Sequence, residues 1–144
     1  LLLMEALMKS SDKRIAAIAA KSIKEVKYHF RFSSEWIKRL GDGTAESHQK
    51  MQVAIDYLWP YIGELTDPSE IEKTAEKEGY GANLEDIRTK YIESVNAVLN
   101  EATLEIPKAA WTQSGGKKGI HSEHLGKILA ELQYMQRAYP NMTW

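Results

Sequence analysis

Cysteine is absent from the 144 residues, so disulfides, iron–sulfur clusters and cysteine-ligated zinc are excluded within this sequence. The absence fits a reducing compartment. Also missing is any apolar run near the roughly 20 residues that span a bilayer. The opening Leu1-Leu2-Leu3-Met4 is apolar, but no basic segment precedes it and Glu5 breaks it, so it does not read as a signal peptide. A cytoplasmic location without membrane attachment is expected. Neither sign of charge dominates. With 19 basic and 20 acidic residues the net charge is −1, which argues against a dedicated nucleic-acid binder but leaves room for a local basic patch. No window alternates with period two, and no repeat, low-complexity tract or linker interrupts the chain. One domain over residues 1–144 is expected.

What remains is helical pattern throughout. Residues 1–8 read as helix interior, with no Ser, Thr, Asp or Asn ahead of them to satisfy the first amide donors. The chain is therefore expected to begin inside a helix, with N-terminal helices missing. That first helix ends near Lys9. Ser11 or Asp12 caps a long helix running to about Leu40, with Gly41 suited to a left-handed C-terminal cap. Thr44 caps the next helix, to about Trp59, where Pro60 suits a kink or an ending. Asp67-Pro68-Ser69-Glu70 reads as a start signal, with Asp67 as cap and Glu70 at the third position, for a short helix to about Gly79. Asn83 caps a helix from Leu84 to about Leu104. A loop of about 14 residues follows, and Ser122 opens a last helix to about Ala138. The fold class is all-α, a bundle.

On the long helix, at about 100° per residue, one broad arc holds Ile15, Ile18, Ala19, Ser22, Ile23, Val26, His29, Phe30, Ser33, Trp36, Ile37 and Leu40. This is the expected core face, with Ser22, His29 and Ser33 as polar guests and Glu25 at its edge. The opposite side carries eight cations: Lys13, Arg14, Lys21, Lys24, Lys27, Arg31, Lys38 and Arg39, with Tyr28 and Phe32 among them. Such a face is either solvated, with intrahelical pairs such as Lys21–Glu25 and Glu35–Arg39, or a docking face for an acidic partner or phosphorylated ligand with the aromatics as anchors. Lys24, Lys27, Tyr28, Arg31 and Phe32 are its candidate interface residues. Trp111, Tyr134, Tyr139 and Trp144 gather around the last loop and helix. They read as packing or as an intersubunit contact, with Trp111 and Trp144 as the candidates.

A helical bundle with inward Glu and His raises di-iron carboxylate chemistry, which draws on Glu-x-x-His pairs because residues three apart share a helix face. Three residues before His29, His48, His121 and His124 stand Val26, Ala45, Lys118 and His121, so the sequence contains no Glu-x-x-His. Glu25 and His29, four apart, are the alternative metal ligands, or else a buried hydrogen-bonded pair. His121-Ser122-Glu123-His124 fans around the helix and fits zinc poorly. Residues 115–119 (GGKKG) lack the Ser/Thr and the preceding strand of a P-loop and read as a flexible loop or a contact for a CoA phosphate. No Ser-His-Asp arrangement can be supported by spacing.

Residues 19–29 (AAKSIKEVKYH), 30–36 (FRFSSEW), 39–44 (RLGDGT), 100–104 (NEATL), 115–126 (GGKKGIHSEHLG), 129–137 (LAELQYMQR) and the ending 139–144 (YPNMTW) together resemble the PaaC-type subunit of the phenylacetyl-CoA oxygenases, C-terminal portion. The resemblance extends from about residue 19 to the end. It implies a ferritin-like helical bundle and a non-catalytic, structural role beside a homologous catalytic subunit. That partner would hold the di-iron centre, with no cofactor in this chain. A reductase and small accessory subunits complete the implied system, whose reaction is epoxidation of the CoA-linked ring in aerobic phenylacetate breakdown; contact with phenylacetyl-CoA would be indirect. Two other readings stand beside it. One is a self-sufficient di-iron protein using Glu25 and His29. The other is a general helical interaction module whose basic ridge binds an acidic partner.

Overall fold

The structure, a computed structural model, describes residues 1–108 and 111–143. It is all-helical among those residues, and the chain forms two compact units, Leu1–Gln113 and Ser114–Trp144. The first holds α1 (Leu2–Leu7), α2 (Lys13–Gly41), α3 (Ala45–Leu58), α4 (Glu70–Lys77) and α5 (Leu84–Glu101), with 3-10 turns at Trp59–Tyr61 and Gly63–Thr66. The second holds a 3-10 turn at Gly116–Lys118, then α6 (Glu123–Leu132) and α7 (Tyr134–Ala138).

Caps set most of these boundaries. The Asp12 carboxylate accepts from the backbone N–H of Arg14 (2.8 Å) and Ile15 (3.0 Å), which satisfies two of the orphan donors that open α2. At α3, Ser47 N–H donates to Thr44 Oγ1 (3.2 Å) and Thr44 N–H donates to Ser47 Oγ (3.0 Å), a reciprocal box. At α4 the expected cap is displaced by two residues. Ser69, not Asp67, is the cap, because Glu72 completes the box with the Ser69 N–H (2.7 Å), while Glu70 turns to Lys73 (2.9 Å). Asn83 caps α5 by accepting from Asp86 N–H (2.7 Å). α5 stops at Glu101, where Thr103 takes a left-handed conformation (φ 58°) and Leu104 N–H reaches back to Leu99 O (3.0 Å). The last helix divides at Gln133 (φ −104°, ψ 6°) with no Gly or Pro there to mark it.

Gly41 does something other than the left-handed capping that its position suggests. It lies inside α2 and is buried, and the cap is Asp42. A Cβ at Gly41 would overlap the carbonyl oxygen of Ala102 and stand 2.9 Å from Ala102 Cβ and 3.0 Å from Leu104 Cδ1. The glycine is there so that α2 and the end of α5 can touch. The Gly41 carbonyl also accepts from His48 Nδ1 (2.7 Å) and Thr103 Oγ1 (3.4 Å).

That contact fixes one end of the α2–α5 pair, and Ser11 N–H to Gly79 O (3.0 Å) with Ser10 Oγ–H to Tyr80 O (2.9 Å) fixes the other. The two helices therefore run in the same direction. Lys38 adds an ion pair to Glu101 (2.8 Å) and a longer one to Glu35 (3.6 Å). The hydrogen bond to Glu101 is the main cause that raises the Lys38 pKa above the usual lysine value, ahead of an opposing effect of burial. The core sits at this junction. Leu99, Ala102 and Leu104 are buried, with Ile37, Met51, Ile55, Val95 and Trp59 packed against them. Farther up α2, Ala19 and Ile23 are buried, and α1 lies against α2 and α5.

After α5 the chain returns along α3. The Gln52 side chain clasps Glu105 as a strand would, accepting from its N–H (2.9 Å) and donating to its carbonyl (3.0 Å). Gln113 N–H then bonds to Pro60 O (2.8 Å). In the second unit, Gly115 (φ 99°) and Gly119 (φ 84°) frame a hydrogen-bonded turn in which Lys118 and Ile120 N–H both donate to Gly115 O (2.9 Å each).

Candidate partner-docking face

α2 is packed along only part of its circumference. Ile15, Ala16, Ala19, Ser22, Ile23, Val26, Ser34, Ile37, Lys38 and Gly41 are buried or half-buried, and together they trace one inward stripe. All eight cations fall within an arc of about 140° that meets this stripe at one edge, where half-buried Lys38 belongs to both. Between the stripe and the cations lies a second apolar strip that faces solvent, carrying Ile18 (58% exposed), His29, Trp36 and Leu40, with Phe32 (54%) at its border. The core face expected from the sequence was thus too broad. Ile18, His29, Phe30, Ser33, Trp36 and Leu40 are exposed, because α1, α3 and α5 cover α2 from one side only. Residues 27–33, in mid-helix, are exposed all round.

On the exposed side the aromatics form a ladder, one helical turn per rung. Tyr28 and Phe32 stack with ring centroids 6.0 Å apart, and Phe32 meets Trp36 edge-on at 6.3 Å. The Arg31 guanidinium lies 6.0 Å from the Tyr28 ring, and that of Arg39 lies 5.7 Å from the Trp36 ring. A shallow groove of about 310 Å³ runs between Tyr28, Arg31, Phe32, Glu35, Trp36 and Arg39. Lys24, Lys27, Tyr28, Arg31 and Phe32 are brought together here, all exposed. Trp36 and Arg39 belong to the same face although Trp36 reads as core on the helix wheel. The signal that finds them is the i, i+4 series 28, 32, 36 with an arginine three residues after Tyr28 and after Trp36. The intrahelical pairs differ from those expected: Glu25 goes to His29, not Lys21, and Glu35 to Lys38, not Arg39. Lys21, Lys24 and Lys27 have no carboxylate within ion-pairing distance among the described residues.

Trp111 lies elsewhere, in the first unit, edge-on to Tyr61 at 6.1 Å. It helps line a cleft of about 480 Å³ with Trp59, Pro60, Ile106 and Pro107. Tyr134 and Tyr139 are in the second unit. Trp144 lies outside the described residues.

Glu25 Oε1 and His29 Nε2 are 3.2 Å apart, with side chains 74% and 66% exposed. They form a pair, but not a buried one, since this part of α2 has nothing packed over it. No group of three or more His, Asp or Glu converges among the described residues. By themselves, two donors on adjacent turns are fewer than the six ligands from four helices that a di-iron centre takes.

These features define a class: an all-helical chain whose longest helix presents aromatic, apolar and cationic surface on the side its own core leaves bare. The chain belongs to the phenylacetic acid catabolic protein family, whose sequence pattern matches residues 1–144. Its all-α architecture is consistent with the ferritin-like fold of that family. It is 49% identical over 138 residues to the C subunit of the 1,2-phenylacetyl-CoA epoxidase of Escherichia coli (strain K12). The match covers 96% of this chain and 56% of that protein, so the chain spans little more than half the length of that relative. No helix among the described residues is long and apolar enough to cross a membrane.

Proposed function

We propose that this chain belongs to a non-catalytic, structural subunit of the multicomponent oxygenase that epoxidises the ring of phenylacetyl-CoA in aerobic phenylacetate degradation. Its role is to hold a homologous catalytic subunit that carries the di-iron centre. A reductase and small accessory subunits complete the assembly, which works in the cytoplasm. The reading is supported by the 49% identity to a component of the Escherichia coli epoxidase. The observation that carries it is the bare face of α2, where three aromatics stand exposed in a ladder flanked by arginines. Trp, Tyr and Arg are the residues that dominate binding energy at protein interfaces. An isolated soluble chain rarely leaves such surface uncovered.

The test is co-expression of the protein, from its complete gene, with the catalytic homologue, followed by purification and iron determination on each separated subunit. A stable complex with iron in the partner alone is expected. Iron bound stoichiometrically by this subunit, and lost in His29→Ala, would overturn the structural role in favour of a self-sufficient di-iron protein, the reading that the Glu25–His29 pair favours.

A further inference from the structure

We infer that the outward face of α2 is a receptor for one amphipathic helix of the partner subunit, with an apolar ridge seated on Tyr28 and Phe32 and carboxylates on its flank. The inference rests on the structural-subunit reading above and names the chemistry of the contact.

Charge carries the argument. The chain has nearly as many bases as acids, yet it places all eight α2 cations on one arc, and among the described residues only Lys38 of these pairs with carboxylates. Among the described residues Lys21, Lys24 and Lys27 have no ion-pair partner: Glu25, four residues from Lys21, pairs with His29, and no acidic residue stands three or four positions from Lys24 or Lys27. Arg31 and Arg39 lie over aromatic rings and so are held in place before a partner arrives. From Lys21 to Arg39 the ridge is about 27 Å long, the length of a helix of some 18 residues. A helix laid along the groove beside Phe32 would meet apolar rungs spaced one turn apart, matching its own i, i+4 side chains. Nucleic acid is the less apt occupant, because the 144 residues carry no net positive charge.

The experiment uses the protein from its complete gene together with the catalytic homologue. Binding is measured for wild type, for Lys24→Glu/Arg31→Glu and for Tyr28→Ala, at low and high salt. Tyr28→Cys serves as a thiol probe, with labelling read at residue 28 itself by mass spectrometry of its peptide; no other thiol lies within the 144 residues. The expected result is binding weakened about tenfold or more by the double charge reversal and by Tyr28→Ala. Association should slow as salt rises, and the Tyr28→Cys thiol should react in the free subunit and be protected in the complex. Helicity of each variant by circular dichroism separates lost contact from lost fold. Normal binding by folded variants overturns the inference and leaves the structural-subunit reading intact. Failure of wild type to bind the homologue overturns both. Protection of the thiol in the free subunit overturns the inference by showing that the protein's own chain covers the face. Retention on DNA or RNA that the charge reversal abolishes, with binding to the homologue unchanged, overturns it in favour of a nucleic-acid surface.

Discussion

Gly41→Ala isolates the close approach of α2 to the end of α5. In an ordinary helix interior this substitution stabilises, by up to about 1 kcal/mol, since alanine loses less entropy on folding. Gly41 has no left-handed φ to oppose it. Sterics reverse the sign. The new methyl would overlap the Ala102 carbonyl oxygen and crowd Ala102 Cβ at 2.9 Å and Leu104 Cδ1 at 3.0 Å. The oxygen is backbone and cannot swing away, so the helices must part by something near 1 Å from a C···O contact that normally settles at about 3.3 Å. Overpacking of this kind costs about 1–3 kcal/mol. The displacement also stretches the hydrogen bonds to Gly41 O from His48 and Thr103, each contributing about 0.5–1.5 kcal/mol. A net loss of about 2 kcal/mol is expected.

Urea unfolding followed by tryptophan fluorescence reads this out, because Trp59 packs against Leu99, Ala102 and Leu104. With a slope of about 2 kcal/mol/M, the midpoint should fall by about 1 M at unchanged slope. Ala102→Gly in the same background should recover part of the loss and no more, since it removes the crowded Cβ but not the carbonyl. Gly126→Ala is the matched control. It lies within α6 with no neighbour within 4 Å of a new Cβ and should stabilise that helix by up to about 1 kcal/mol. A midpoint for Gly41→Ala equal to or above wild type would refute the close-contact account.

Thr103 is a β-branched residue at φ 58°, so Thr103→Gly should raise stability by about 1 kcal/mol, less a weak 3.4 Å hydrogen bond; thermal melting checks the sign. Gln52→Ala removes both bonds to the Glu105 backbone and should cost about 1–2 kcal/mol, with faster proteolysis in the segment 105–113 than elsewhere. Lys38, raised chiefly by its hydrogen bond to Glu101, and Tyr91, raised by burial, both have folded values above their unfolded ones. Their contributions differ in sign of cause but not in direction with pH: each is fully present below the unfolded value and is lost as pH rises through the folded one, so stability should fall above roughly pH 10 and Lys38→Met should flatten the Lys38 part of that fall. Glu70, lowered by its hydrogen bond to Lys73, behaves oppositely: its contribution is present above the unfolded value and fades as pH drops through the folded one, which Glu70→Gln should remove from an acid titration.

Local signals were legible where one residue decides the outcome within a few neighbours. Asp12, Thr44 and Asn83 each cap the helix their position announces, because the cap bond spans only two or three residues. Two signals misled, each because several outcomes share one local pattern. Asp67-Pro68-Ser69-Glu70 and the adjacent Ser69–Glu72 spacing both describe a helix start, and only the reciprocal bonds actually formed choose between them. Gly41 followed by Asp42-Gly43 has the appearance of a cap, but its purpose is set by Ala102, some sixty residues away, which no local window contains. The clasp of Gln52 on Glu105 was invisible for the same reason.

The α2 wheel teaches something different. Its apolar residues cover a wider arc than α1, α3 and α5 can reach, and the excess residues Ile18, Trp36 and Leu40 stand in solvent without one lysine or arginine among them on that strip. Random surface substitution would not keep eight cations confined to about 140° and the neighbouring strip free of them. A boundary that sharp between cationic and apolar surface is how a helix prepared to be covered differs from one that is merely amphipathic. The aromatic ladder lies on that boundary, with Tyr28 on the cationic side and Trp36 on the apolar side. Whatever covers α2 must therefore meet both chemistries at once. A ligand recognised by charge alone would leave Phe32 and Trp36 wet, and a purely apolar partner would strand Lys21 and Lys24 without counter-charge. A surface carrying an apolar ridge with an acidic margin satisfies both, which is the pattern of the partner helix inferred above.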